Sequence, residues 1–377
     1  MGLVDFFKKL EPDKKKRPLL HTLYDGFFTF LFVPNHRAGQ ASHVHDHVDL
    51  KRTMIMVVLA LVPLYLFGMY NVGHQHYLAL GQYSDPTEAV GAKLLYGALR
   101  VLPMYIVAMV VGLGIEFYFA SKKGHAIEEG YLVTGALIPL IMPPTVPLWI
   151  LAVAVALAVI FGKEAFGGTG MNVVNIALLA RVIVFFAYPQ TISGDAVWVA
   201  GVDGYSGATP LALATQGWDQ VTQKFSTEQM WWGLIPGSVG ETCKPLILLG
   251  ALFLLLTRIA SWRIMLGGLL GLVFMGLLFN AWGATAFMRV PWYYHLYMGS
   301  FLFAIAFMAT DPVTAASTNR GKWIYGFLVG LFGLLIRVFN PAYPEGWMLA
   351  ILLMNVFAPL IDYTVLQANM KKRLKRA

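Results

Sequence analysis

Three carboxylates fall where carboxylates are costly. Glu116, Asp311 and Asp362 lie within or at the ends of long apolar runs, and a charge at membrane depth is a default candidate for an ion path. Asp311 sits beside Thr310 in the break Ala309-Thr-Asp-Pro-Val-Thr-Ala-Ala-Ser-Thr-Asn319, where freed carbonyls and hydroxyls suit Na⁺. Asp362 has a second reading, as a partner for the basic tail that follows it. Lys163 and Glu164 read as an internal ion pair, or Lys163 as a phosphate contact, with Arg337 a parallel phosphate candidate. Asn172 and Asn175 offer amide donors and acceptors to a ligand edge, or a cap to a half-helix starting after them. Gly112 and Gly114 in Val111-Gly-Leu-Gly-Ile-Glu116 admit the close approach of a flat ring or of another helix. A different chemistry is offered by Ser206 and Thr209, two hydroxyls beside the small residues Gly207 and Ala208. Taken alone, that stretch is also an ordinary turn. In His43-Val-His45-Asp46-His47 the three histidines alternate like zinc ligands. No fourth ligand is apparent, so a solvated N-terminal loop is the better reading and no metal site is expected.

The elements that position these residues must be membrane helices. Of 377 residues, 58% are hydrophobic and 13% charged, against about a quarter charged in soluble domains. The net charge of +8 is spread over clusters at Lys14–Arg17, Lys51-Arg52, Lys122-Lys123 and Lys371–Arg376. These flank apolar runs, which is the pattern of cytoplasmic loops and lipid-facing patches rather than of nucleic-acid binding. The single cysteine, Cys243, excludes an intrachain disulfide and an iron–sulfur cluster held by this chain alone. No cleavable signal peptide is evident, since the first long apolar run begins near Met54. Residues 1–53 are thus expected to form an N-terminal cytoplasmic segment, with Phe27–Val33 on the membrane surface.

About ten transmembrane segments are expected, near 54–72, 95–119, 131–143, 147–161, 172–188, 245–259, 263–282, 296–310, 323–338 and 347–362. Those at 131–143, 172–188 and 296–310 are short for a crossing of about twenty residues and read as half-helices. The predicted fold is an all-α integral membrane protein: a first half over 54–188, an outer-side loop over 189–244, a second half over 245–362 and a basic tail over 363–377. An even number of crossings puts both termini on the cytoplasmic side. His74 and His76 fall in an outer loop. Trp149 precedes Lys163 by fourteen residues, as Trp323 precedes Arg337, and both pairs are offset by 174. Each Trp follows a Pro/Thr/Ser-rich break, and each basic residue precedes a Gly- or Pro-rich bend. The two copies enter from opposite sides on this count, an inverted-topology repeat that places binding sites at its interface.

In this setting Gly201-Val-Asp-Gly-Tyr-Ser-Gly-Ala-Thr209-Pro-Leu-Ala resembles the flavinylation motif of the NqrB/RnfD family. His47–Met56, Lys163–Gly170, Asp195–Trp198, Ile235–Glu241, Thr310–Thr314 and Thr318–Lys322 resemble the same family, and together they cover nearly the whole chain. Asp49-Leu-Lys-Arg52, Ala260-Ser-Trp-Arg263 and Asn340-Pro-Ala-Tyr-Pro-Glu-Gly346 look like its NqrB branch, found in sodium-translocating NADH:quinone oxidoreductases.

The resemblance implies a covalent FMN, its phosphate esterified to Thr209 by a separate flavin transferase, with Ser206, Gly207 and Ala208 beside it. Small neighbours suit close approach to the backbone. It implies a non-covalent riboflavin facing Asn172 and Asn175, although Ile176 stands where the family is expected to have proline. It implies a ubiquinone site near the N-terminal segment and Gly112, Gly114 and Glu116, and a sodium path through Glu116, Asp311 and Asp362. Electrons would pass to quinone coupled to Na⁺ translocation in a bacterial inner membrane. Partners would be a flavin-bearing NqrC-like subunit, NqrD- and NqrE-like membrane subunits and an NADH-oxidising NqrF-like subunit. No Gly-x-Gly-x-x-Gly fingerprint opens a βαβ unit here, in agreement with NADH binding elsewhere. Two alternatives stay open, an RnfD-type subunit of a ferredoxin:NAD⁺ oxidoreductase and a non-redox inverted-repeat transporter.

Overall fold

The computed structural model describes residues 7, 9–13, 17–32, 50–123, 130–202, 204–340 and 346–376, and every regular element among them is helical. The His43–His47 cluster and residues 341–345 of the Asn340–Gly346 bend lie outside the described residues. The main helices are α1 (Pro18–Leu31), α2 (Leu50–Ala79), α3 (Val90–Lys123), α4 (Tyr131–Ile141), α5 (Leu148–Gly162), α6 (Ile176–Ala187), α7 (Lys244–Leu256), α8 (Trp262–Trp282), α9 (Asn319–Phe339) and α10 (Trp347–Leu374). Six are long and apolar enough to cross a bilayer: α2, α3, α5 with its extension to Phe166, α8, α9 and α10.

Three helices are too short for that. α4, α6 and α7 have 11, 12 and 13 residues, or about 16–20 Å at 1.5 Å per residue, against a hydrocarbon core of about 30 Å. The sequence foretells this for α4 and α6. It does not for α7, whose run over 245–259 reads as a full crossing. That helix stops early because Thr257 turns its hydroxyl back on the Phe253 carbonyl (2.9 Å) and Arg258 takes a left-handed backbone, φ 59°. The eighth run, over 296–310, is more broken than a half-helix. It holds a turn at Tyr294–Tyr297, a helical turn at Phe301–Phe303 and a π-turn over Ala304–Met308, and π-turns often mark functional sites.

The two halves pack in parallel ways. α3 packs on α5 and α5 on α6, as α8 packs on α9 and α9 on α10. Small residues bring α8 and α9 together backbone to backbone. A Cβ on Gly271 would lie 2.1 Å from the Phe327 carbonyl oxygen, and one on Gly330 would lie 2.0 Å from that of Gly268. Such packing is how apolar helices associate where lipid removes the hydrophobic drive. The matched basic residues end matched helices: Lys163 follows α5, 5.7 Å from the Tyr131 ring, and Arg337 ends α9, 5.2 Å from the Trp347 ring. Both are buried.

The stretch 189–244 is not the solvated polar loop its composition implies. It carries three short helices, Pro210–Gln216, Trp218–Lys224 and Thr227–Trp232, and is pinned to the bundle. Thr145 donates to the Val197 carbonyl (2.7 Å), and the Ala200 carbonyl accepts from the Tyr96 hydroxyl (3.0 Å) beside the His76 ring nitrogen (2.8 Å). His74 and His76 therefore lie on the last turns of α2, not in a loop. Residues 235–244 then run inward. The Gly240 N–H donates to the Leu140 carbonyl at the end of α4 (2.7 Å), and the Ile235 carbonyl accepts from the Asn71 amide (2.9 Å). Glu241 meets Arg181 of α6 at 3.1 Å, both buried. This covering is what makes a broken backbone tolerable at membrane depth.

Candidate functional site

One cavity of about 820 Å³, counting its open mouth, collects residues from both halves. Its apolar walls include Met54 and Val57 of α2, Leu137 of α4, Leu254 of α7 and Phe307 of the π-turn. Its polar groups include Lys163, Asn172, Asn175, Thr310 and Asp311. The asparagines and Asp311, far apart in the sequence, thus share one chamber.

Asn175 caps α6, accepting from the Leu178 N–H through Oδ1 at 3.2 Å, which leaves its Nδ2 to donate. Asn172 has the opposite arrangement. Its Nδ2 donates to the Val174 carbonyl (3.2 Å), leaving Oδ1 to accept. Capping and a ligand-facing role are therefore compatible here. Asn355 of α10 holds Asn175 from behind. In the amide orientation that satisfies its neighbours, its Oδ1 accepts from the Asn175 N–H (3.1 Å) and its Nδ2 donates to the Tyr325 hydroxyl (2.8 Å). Neither Asn355 nor Tyr325 carries a sequence signal, being single polar residues in apolar helices.

The ion pairs differ from the expected Lys163–Glu164 contact. Lys163 pairs with Glu116, and Glu164 pairs with Lys123 at 3.0 Å. Glu116 and Lys123 stand seven residues apart on α3, two turns along one face, while Lys163 and Glu164 leave the end of α5 in different directions. Gly112 is not a notch for a ring, because the Tyr131 ring already fills it. A Cβ there would lie 1.9 Å from that ring, whose hydroxyl donates to the Ala108 carbonyl (2.7 Å). Gly114 faces open space. Gly112→Val is accordingly expected to destabilise by about 1–3 kcal/mol through overpacking, with Gly114→Val near neutral. Thermal unfolding in detergent checks this, and equal melting temperatures for the two variants would contradict it.

Asp311 accepts from the Val313 N–H (3.1 Å) and the Thr314 hydroxyl (2.9 Å) and still lines the cavity. Asp362 instead clamps the start of α9. It accepts from the N–H groups of Ser317 (2.6 Å) and Thr318 (3.0 Å) and from the Thr318 hydroxyl (2.6 Å). Those donors, not the basic tail, take its carboxylate.

The second site surrounds Thr209. Its Oγ1 accepts from the Ala212 N–H (3.1 Å), capping the short helix that follows. Ser206 is exposed and donates to Asp195 (3.3 Å). Gly207 must be small, because a Cβ there would lie 2.6 Å from the Val199 side chain. Thr209 borders a pocket of about 320 Å³ with Ser238, Glu241, Thr242, Lys244 and Gly299. Pro236 separates it from a second pocket of about 500 Å³ lined by Gln75, Tyr205, Gly207, Phe225 and Gln229. Arg337 does not line the Thr209 pocket. It lies behind Gly299 and donates to the His295 (3.3 Å) and Met298 (3.2 Å) carbonyls. Lys244, absent from the sequence-derived candidates, lines it instead. The two sites share α7: Lys244 borders the Thr209 pocket and Leu254 the large cavity, ten residues and about 15 Å apart.

A model of the NQR2, RnfD, RnfE family matches residues 38–371. The chain belongs to this family. Within the NQR2, RnfD, RnfE family its similarity is to the NqrB component of the Na(+)-translocating NADH-quinone reductase. The NqrB protein from Chromohalobacter salexigens is 46% identical over 100% of this chain and 97% of its own length. That from Neisseria meningitidis serogroup B is 45% identical and that from Pseudomonas aeruginosa strain LESB58 46%, each over 100% of both chains. The resemblance of the motifs to the NqrB branch is borne out. Ile176, the departure from the pattern expected for the NQR2, RnfD, RnfE family, begins α6. The N–H there has no intrahelical partner, so isoleucine or proline serves equally.

Proposed function

We propose that this chain is the membrane subunit of a Na⁺-translocating NADH:quinone reductase, with FMN esterified to Thr209 and riboflavin held non-covalently by Asn172 and Asn175. The observation that carries the reading is the shared cavity, in which two amides suited to a flavin edge face the same space as Asp311. Its mostly apolar lining with a few polar groups fits a small-molecule site. In the ester-forming step the Thr209 hydroxyl oxygen bonds to the flavin-side phosphorus of a flavin dinucleotide donor, and the phosphoanhydride bond that breaks releases the nucleoside monophosphate together with the hydroxyl proton.

Bound flavin supplies reversible electron uptake, which no side chain of this protein offers. The chain's own residues do the rest. Asn172 presents an acceptor and Asn175 a donor, the latter fixed through Asn355 and Tyr325. Asp311, oriented by Thr314 and the Val313 N–H, supplies a carboxylate for Na⁺ at the edge of the cavity. Quinone docks on the open Gly114 face of α3, towards the end that carries Lys122-Lys123. Both termini lie in the cytoplasm of a bacterium and the helices in its inner membrane, with Thr209 on the outer side. NADH oxidation and delivery of electrons fall to NqrC-, NqrD-, NqrE- and NqrF-like partners.

Sodium-dependent quinone reduction by the assembled complex tests this reading. Asp311→Asn is expected to raise the half-saturating Na⁺ concentration about tenfold, the equivalent of about 1.4 kcal/mol of lost attraction, at unchanged flavin content. Asp362→Asn is expected to lower thermal stability while leaving the sodium response in place. An unaltered sodium dependence in Asp311→Asn would remove it from the path.

A further inference from the structure

Across Pro236 from Thr209 lies the pocket lined by Gln75, Tyr205, Gly207, Phe225 and Gln229. Its walls are fixed by bonds of their own. The Ser206 hydroxyl donates to the Asp195 carboxylate (3.3 Å) and the Gly207 N–H to the Asp195 carbonyl (3.1 Å), so the chain beside Tyr205 is anchored at two points. Gln75, on the last turns of α2, is buried. Its Nε2 donates to the Asn71 Oδ1 (3.4 Å), and the Asn71 amide donates in turn to the Ile235 carbonyl (2.9 Å). That leaves the Gln75 Oε1 as an acceptor for the pocket. Gln229 has the opposite arrangement. Its Oε1 accepts from the Ser226 N–H (3.0 Å), closing a capping box at the start of Thr227–Trp232, and its Nε2 is left to donate. The pocket thus presents one amide acceptor, one amide donor and two aromatic rings. Tyr205 keeps 37% of its surface exposed, so much of its ring is still open to a ligand.

We propose that this pocket seats the isoalloxazine ring of the tethered flavin, against the rings of Tyr205 and Phe225. The proposal rests on Thr209 as the flavin attachment point. The pocket takes Gly207, two residues before that threonine, into its wall and meets the Thr209 pocket at Pro236. The phosphate and ribityl chain therefore have one proline to pass. The pyrimidine edge of the ring carries an N–H donor flanked by carbonyl acceptors, which matches the Gln75 Oε1 and the Gln229 Nε2. Aromatic side chains stack favourably on the remainder of such a ring. Gln75 and Gln229 set the ring's orientation, and Tyr205 and Phe225 cover it. Asn172 and Asn175 offer the same pair of functions in the large cavity, so each flavin meets one amide acceptor and one amide donor.

Flavin emission from the folded protein tests the contact. A phenol against the ring quenches emission by passing an electron to the excited flavin, which then returns it, whereas a phenyl ring does not. The full-length chain is purified as wild type, Tyr205→Phe and Tyr205→Phe/Phe225→Tyr, each with and without co-expressed flavin transferase. The difference between the two preparations isolates the tethered flavin from any flavin bound without a link, and emission after denaturation normalises for its amount. Tyr205→Phe changes one hydroxyl on an exposed residue and leaves the fold in place. Native emission is expected to be low in wild type, to rise severalfold in Tyr205→Phe and to fall again in the double variant, where the phenol stands on the other ring. A purely structural Tyr205 would not regain quenching through Phe225→Tyr. Native emission in Tyr205→Phe as low as in wild type would overturn the proposal, and so would a double variant as bright as Tyr205→Phe. Wild-type emission unchanged by denaturation would overturn it as well. A wild-type band without covalent fluorescence would instead defeat the Thr209 assignment, and the proposal with it.

Discussion

Glu116→Gln is expected to destabilise the folded chain by about 3–5 kcal/mol, because it leaves the Lys163 ammonium buried without its counter-charge. The side chains of Lys163 and Glu116 are 4% and 6% exposed, so water cannot take over from the lost carboxylate. The Tyr131 ring near Lys163 offers only a weak substitute. The double variant Glu116→Gln/Lys163→Met removes both charges and should recover most of the loss, since two neutral groups of similar size replace the pair. Thermal unfolding of the three proteins in one detergent measures this. A single variant as stable as wild type would mean that the pair is not what holds α3 to the end of α5. The same series bears on ion transport. A cation at Glu116 must compete with a buried ammonium already in place, whereas the partners of the Asp311 carboxylate among the described residues are a hydroxyl and an N–H. Sodium-dependent turnover surviving in the double variant would assign Glu116 to structure, and its loss would put Glu116 on the path.

The geometry explains why the chain breaks its helices where it does. α4 and α6 stop short, and the space beyond α4 is taken by residues 235–241 of the folded 189–244 segment. α6 begins at the large cavity, and its Arg181 is matched by Glu241 of the same inward run. Each broken backbone is therefore met by protein, and the polar groups set free become the walls of the two candidate sites.

The membrane class was legible because hydropathy is a sum over many residues, and α4 and α6 were legible because their apolar runs are too short to span. α7 was not, since its end depends on the backbone angle of Arg258, which no hydropathy window senses. Sequence adjacency pointed Lys163 to Glu164. The exit geometry of α5 and the seven-residue spacing on α3 decide for Glu116 and Lys123 instead. Asn172, Asn175 and Asp311 each stood out locally, but their meeting in one cavity is a property of packing between the halves. Gly112 showed that close approach was needed without showing that Tyr131 makes it. Lys244 escaped notice because a lysine at the edge of an apolar run normally flanks the membrane in water. Here residues 235–243 cover it.

The central claim is that Thr209 carries a flavin, and the effect of removing it should be total. A phosphodiester survives detergent denaturation, so a flavin attached through one would stay with the polypeptide and fluoresce under ultraviolet light in a gel, while a flavin held without a covalent link would be released. Two hydroxyls three residues apart make the test specific: Thr209 borders the pocket that Lys244 also lines, and Ser206 is exposed beside Asp195. Thr209→Val costs a helix cap worth about 1 kcal/mol, too little to unfold the chain. The measurement is in-gel fluorescence of wild type, Thr209→Val and Ser206→Ala, each co-expressed with the flavin transferase. Fluorescent bands for wild type and Ser206→Ala with a dark, fully expressed Thr209→Val band are expected. A fluorescent Thr209→Val band, or a dark wild-type band, would contradict the account.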